Sequence, residues 1–230
     1  MAIFSPEVVY PSATGVILLA SSAIGFRIYR VSGNLAVFWL ALGLVFVAAQ
    51  SFMEAYINYR IDVVEGFYGS RQHYMLDAFR GVLIVLWAFA QALILVDLAG
   101  VRERWVYYGL PAVILISGTV YTFAVNLGAD IGDPANKILV SSVGRVLGIL
   151  VPVSLLLGVF IILSIARPTG SRGALVIGVA FILHAVTLPL YSVAKSLGPV
   201  TLGLWYAFGG IIPALAALYG FWQLAREAAG

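Results

Sequence analysis

Polar residues along this chain fall in short clusters separated by long apolar runs. Seven runs stand out, at 13–30, 34–58, 73–98, 106–127, 138–166, 173–195 and 200–224. Each is close to or above the roughly 20 residues that an α-helix needs to cross about 30 Å of hydrocarbon. The breaks carry residues that end helices: Gly33, the polar stretch 60–71, 100–104, 128–134, 167–172, and Gly198 with Pro199. Membrane strands alternate polar and apolar positions over about 10 residues. These runs are longer and apolar on most faces. The pattern predicts an all-α integral membrane protein, a single domain over 1–230 built as a seven-helix bundle.

Composition narrows the class. Of the 230 residues, 62% are hydrophobic and 10% charged, and the mean hydropathy is +1.04. A soluble domain carries about 45–50% apolar and about 25% charged residues. A soluble enzyme, a disordered tail and a nucleic-acid binder are excluded; the lipid bilayer is the first partner, and a multi-pass protein of the cell membrane is expected. There is no cysteine, so disulfides, thiolate metal sites and Cys nucleophiles are excluded. His73 and His184 are the only histidines. Residues 1–11 contain Glu7 and no basic residue, unlike a cleavable signal peptide, so the first apolar run is expected to stay in the mature protein.

The small excess of positive charge gives an orientation. Odd-numbered connections and the C-terminal tail hold Arg27, Arg30, Arg102, Arg104, Arg167, Arg172 and Arg226, whereas the even-numbered ones hold Arg60, Arg71, Lys137 and Lys195. The positive-inside rule then places the N-terminus outside and the C-terminus in the cytoplasm. Asp62, Glu65, Asp130 and Asp133 fall on the outer side. Tyr10, Trp39, Tyr59, Trp105, Tyr107, Tyr108, Trp205 and Trp222 lie near span ends, where aromatic belts form.

An internal repeat is visible. Arg30-Val31-Ser32-Gly33-Asn34 and Arg167-Pro168-Thr169-Gly170-Ser171 share the pattern Arg-x-Ser/Thr-Gly-Asn/Ser, 137 residues apart. That offset places Gln50, Glu54 and Asn58 on Thr187, Tyr191 and Lys195. Ala78-Phe79-Arg80-Gly81 resembles Ala207-Phe208-Gly209-Gly210 at an offset of 129. The spacing implies parallel half-repeats at 5–99 and 138–226 around a connector helix at 105–127, a three-plus-one-plus-three plan; chance matching of Gly-, Ala- and Phe-rich helices is the alternative. The plan is similar in architecture to that of sugar-efflux and vitamin-uptake carriers with two three-helix halves, although the Pro-Gln pair of those carriers is missing. Retinal chemistry is excluded, because the last span contains no lysine.

Ionisable groups inside spans cost about 2.5–3.5 kcal/mol each on insertion scales, which makes them candidates for function. Gln50, Glu54 and Asn58 form one stripe of the second span. The third span carries His73, Asp77, Arg80 and, deeper, Gln91; the fifth Ser141, Ser142 and Arg145; the sixth His184, Thr187, Tyr191 and Lys195. The orientation puts nearly all of them in the outer half, with His184 nearest the midplane. One reading is an outward-facing pocket whose substrate-binding residues are Gln50, Glu54, Asn58, Asp77, Arg80, Arg145, His184, Tyr191 and Lys195, with Glu54 and Asp77 meeting Arg80 and Arg145. The other is a packing network of salt bridges without a ligand. Pro111, Pro152, Pro189 and Pro213 predict kinks in spans four to seven.

No catalytic motif is present: no Gly-x-Ser-x-Gly, no His-Glu-x-x-His, no P-loop. His184, Glu54 and Asp77 are the one set of metal donors, at mismatched depths, and the residues specify no cofactor. The leading expectation is transport of a small solute, neutral or ionised. The alternatives are a non-catalytic membrane subunit of a larger complex or a homo-oligomer, and a seven-helix receptor or sensor with a separate cytoplasmic partner.

Overall fold

The computed structural model describes residues 5–101, 103–129 and 143–228. They form α1 (Pro6–Ser32), α2 (Leu35–Val63), α3 (Arg71–Leu98) and α4 (Arg104–Ala129). Three interrupted helices follow. The first, α5, runs over Val143–Ile161, a π turn at Ile162–Ala166 and a last turn Arg167–Thr169. Next, α6 runs over Arg172–Thr187, a 3-10 turn at Leu188–Leu190 and Tyr191–Leu197. The last, α7, runs over Pro199–Tyr206, a π turn at Ala207–Ile211 and Ile212–Glu227. No strand occurs among the described residues. Among the described residues, six helices are long and apolar enough to cross a membrane: α1, α2, α3, α5 over Leu150–Thr169, α6 over Arg172–Leu190, and α7. By length and composition this is a multi-pass membrane protein.

Helix starts follow from side chains that bond the free amides of a first turn. Asn34 Oδ1 accepts from the Ala36 N–H, Ser70 Oγ from that of His73, and Ser171 Oγ from that of Ala174. The two Arg-x-Ser/Thr-Gly-Asn/Ser turns have the same conformation. Gly33 (φ 65°, ψ 9°) and Gly170 (φ 68°, ψ 12°) are both left-handed, a region open to glycine at little cost. In each turn the preceding hydroxyl accepts from the amide two residues on, Asn34 N to Ser32 Oγ and Ser171 N to Thr169 Oγ1, both at 3.2 Å.

Six helices close a ring: α1 packs on α2, α2 on α3, α3 on α5, α5 on α6, α6 on α7, and α7 back on α1. Outside it, α4 lies against α3. The outer face of α4 is apolar, with Val113, Ile116 and Val120 62%, 65% and 63% exposed.

The ring is packed differently at its two ends. Toward the α1–α2 connection, small residues bring backbones together. A Cβ built on Gly25 would lie 2.9 Å from Ala41 Cβ and 2.9 Å from the Phe221 ring; on Gly173, 2.7 Å from Gly220 O; on Gly158, 2.7 Å from Gly178 O. Ser22 Oγ donates to Ala41 O at 2.7 Å. The Glu227 carboxylate, at the end of α7, caps the start of α6, accepting from Ser171 Oγ (2.6 Å), Arg172 N (3.0 Å) and Gly173 N (3.2 Å). That end of the ring is closed. Toward the α2–α3 connection the ring is hollow.

Candidate functional site

The hollow is a cavity of about 180 Å³, bordered by α1, α2, α3, α5, α6 and α7. It reaches from Pro11 on α1 and Glu54 on α2 down to Leu44 and Ala217, near mid-bundle. Its walls are mainly apolar: Leu18, Val47, Leu83, Ile84, Leu150 and Leu188. At its base Trp87 of α3 stacks on Phe181 of α6, with centroids 5.5 Å apart and planes at 25°. Those helices are not neighbours in the ring, so the pair closes the lumen across its middle. Gly43 makes room for it, since a Cβ there would lie 2.2 Å from the Trp87 ring. Beneath the stack, Ser154 Oγ donates to Gln91 Oε1 at 2.9 Å, tying α3 to α5 inside the core.

The helix interruptions supply polar backbone to one wall. Pro213 has no N–H, so the carbonyl four residues earlier, Gly209 O, loses its helical donor. His184 Nδ1 lies 2.8 Å from that oxygen. A carbonyl can only accept, so Nδ1 carries the proton of this bond. At the 3-10 turn around Pro189, the Tyr191 N–H bonds Leu188 O and leaves Thr187 O for another donor. Trp205 Nε1 takes it at 2.7 Å. The break in each helix is thus satisfied by a side chain of the other, and α6 and α7 are locked reciprocally.

Glu54 organises the opposite wall. Gln50 Nε2 donates to Glu54 Oε2 at 2.9 Å, and the Tyr206 hydroxyl donates to Oε1 at 3.0 Å. Tyr206 belongs to a chain of rings: Tyr10–Tyr206 at 6.3 Å, Tyr206–Trp205 at 5.1 Å and Trp205–Tyr191 at 4.7 Å. The carboxylate therefore sits beside an aromatic cluster made by α1, α6 and α7.

Of the residues the sequence puts forward, Gln50, Glu54, Arg80, His184 and Tyr191 line the cavity. Asp77 does not; it pairs with Arg80 one turn along the same helix, at 2.9 Å. Of the expected meeting of Glu54 and Asp77 with Arg80 and Arg145, the Asp77–Arg80 pair is present, while Glu54 is hydrogen-bonded to Gln50 and Tyr206. Asn58 donates to Glu7 O at 3.0 Å, pinning the start of α1 to α2. Lys195 is exposed at the rim, its Nζ 5.9 Å from the Tyr191 ring centre. His73 stands among Phe67, Tyr68 and Tyr74 at the α2–α3 connection. Arg145 falls on α5, but its side chain lies outside the described residues, as do Arg102, Asp130, Asp133, Lys137, Ser141 and Ser142. No group of three His, Asp or Glu gathers at metal-binding distance among the described residues.

Three site residues escape the sequence reading. Trp87 and Tyr206 look like ordinary members of apolar runs, and Trp205 looks like a belt residue. The available signal is the break beside them: adjacent aromatics Trp205 and Tyr206 precede Gly209, Gly210 and Pro213. No protein-family model, curated protein or solved structure matches the chain.

Proposed function

We propose that this protein is a seven-span carrier of a small solute. In this reading α4 is the fourth span and connects two parallel three-helix halves. The N-terminus is outside, the C-terminus is cytoplasmic, and the cavity opens outward in the cell membrane.

The observation that carries the reading is a cavity hollowed from one half of a helix ring whose other half is closed. Three further features support it. A two-fold repeat pairing α1 with α5, α2 with α6 and α3 with α7 requires the α1–α7 contact to have a counterpart between α5 and α3, and the ring has both. The two left-handed turns at Gly33 and Gly170 share their glycine backbone angles and one hydrogen bond, from the amide after the glycine to the hydroxyl before it. Interrupted helices border the cavity at Leu188, Gly209 and Gly210; irregular backbone inside a membrane is tolerated where it lines a cavity, and carriers use it there. The apolar outer face of α4 suits contact with lipid.

The test is flux. Protein reconstituted in liposomes is given small radiolabelled cations, neutral solutes and anions, each of one-ring size. The expected result is saturable uptake of one class, lost when Leu83→Trp fills the cavity. Binding without uptake would instead make the protein a receptor or sensor. No binding and no uptake, with a stoichiometric partner in the purified material, would make it a subunit of a larger complex.

A further inference from the structure

The charges around the cavity do not cancel. Arg80 and Asp77 neutralise each other within α3. His184 is engaged with Gly209 O, and Lys195 stands in solvent outside the lining. Among the described residues two charges line the cavity, Glu54 and Arg80; Arg80 is bridged to Asp77, and Glu54 makes no salt bridge. Its two protein donors, Gln50 and Tyr206, are neutral and take one oxygen each. A carboxylate oxygen accepts more than one bond, so both oxygens keep capacity toward the lumen.

Beside it stand the Tyr191, Trp205 and Tyr206 rings, all lining the cavity. Ring faces attract cations lying within about 6 Å of their centres. Lys195 already places an ammonium at 5.9 Å from the Tyr191 centre, on the rim side. The remaining wall is hydrocarbon, closed below by Trp87 and Phe181. An apolar cavity of about 150 Å³ accommodates a benzene ring, so about 180 Å³ suits one ring with a small head group.

Resting on the carrier reading above, we infer that the ligand is an organic cation with an apolar body of about one ring, its charge held by Glu54 and the three aromatic faces. The cationic end lies at the α2–α3 side of the cavity and the apolar end against Trp87. The groups coupled to Glu54 across the cavity are Arg80 of α3, Tyr191 of α6 and Tyr206 of α7. Neutralising Glu54 removes the only cation-selective charge in this set that lines the cavity.

The test uses three water-soluble probes of similar size: phenyltrimethylammonium, 2-phenylethanol and phenylacetate. Binding to the full chain in lipid nanodiscs is measured by calorimetry against empty discs. Phenyltrimethylammonium should bind about tenfold or more tightly than either of the others, a difference that one partly buried charge contact readily supplies. Glu54→Gln, which keeps the shape and one acceptor oxygen, should erase that preference while 2-phenylethanol binding persists, showing that the cavity is intact. Trp205→Phe should weaken the cation less than Glu54→Gln does. Equal or tighter binding of phenylacetate or 2-phenylethanol would overturn the charge assignment and leave the carrier reading standing. Failure of all three probes to bind would remove the cavity as a ligand site and overturn both.

Discussion

His184 and Trp205 perform the same task on facing helices: each donates to a carbonyl that a break in the other helix has freed. A buried acceptor left without a donor costs about 1–3 kcal/mol. His184→Ala and Trp205→Phe should therefore each lower the melting temperature of the detergent-solubilised protein, Trp205→Phe through the loss of a single N–H. A melting temperature equal to wild type for both would mean that these bonds are not made. Ser154→Ala tests the deep polar link in the same way, because it leaves Gln91 Oε1 buried and unpaired; the same loss of about 1–3 kcal/mol is expected. At this scale the sequence was partly legible. Gln50, Glu54 and Tyr191 announce themselves as polar groups inside apolar runs. Tyr206 does not, since a tyrosine in such a run is as easily a packing residue, and its bond to Glu54 spans 152 positions. Asp77 meets an arginine as expected, but one turn away on its own helix; spacing alone does not tell such a local pair from a bridge across the lumen.

Turns and breaks are the level at which pattern reading works best and then stops. Asn34 and Ser171 are legible as caps from residue type, and Gly33 and Gly170 as helix ends. The two glycines adopt φ of 65° and 68°, a region that costs other residues about 1–2 kcal/mol. Gly33→Ala and Gly170→Ala should each destabilise by about that amount and, if the halves are copies, by similar amounts; thermal melting of the two variants makes the comparison. A large loss for one and none for the other would reduce the shared motif to a local coincidence. Proline positions predict kinks in spans four to seven; the 3-10 turn falls at Pro189 and a π turn ends just before Pro213, whereas Pro111 and Pro152 lie within uninterrupted α-helix. The π turns at Ile162–Ala166 and Ala207–Ile211 and the 3-10 turn at Leu188–Leu190 depend on how neighbouring helices absorb the missing bonds, which composition does not encode. The π turn in α5 adds one residue. If the halves are copies, the offset upstream of it becomes 136, which sets Gly158, against Gly178 O, on Ser22, bonded to Ala41 O.

For the molecule as a whole, the apolar runs foretell an all-helical, multi-pass chain because burial in hydrocarbon leaves few alternatives. Neighbour order in the ring is not readable from them, since every face is apolar enough to meet either lipid or protein. Orientation rests on arginine placement and has its own test, made clean by the absence of cysteine. Glu65→Cys should react with a membrane-impermeant maleimide from outside the cell and Arg172→Cys should not; the reverse pattern would invert the protein and turn its cavity toward the cytoplasm.

The central claim is that the cavity serves passage and is not a fixed cup. Leu83 lines it, above the Trp87–Phe181 stack, and Leu83→Cys gives a single reactive group at that place. The most direct measurement is its labelling by impermeant maleimide added to one face or the other of sealed, oriented membranes. Alternating access predicts reaction from both faces, faster from outside, with prior labelling from one side removing reactivity at the other. Reaction from the outer face alone, however long the exposure, would contradict the account and leave a closed-bottomed pocket that binds without transporting.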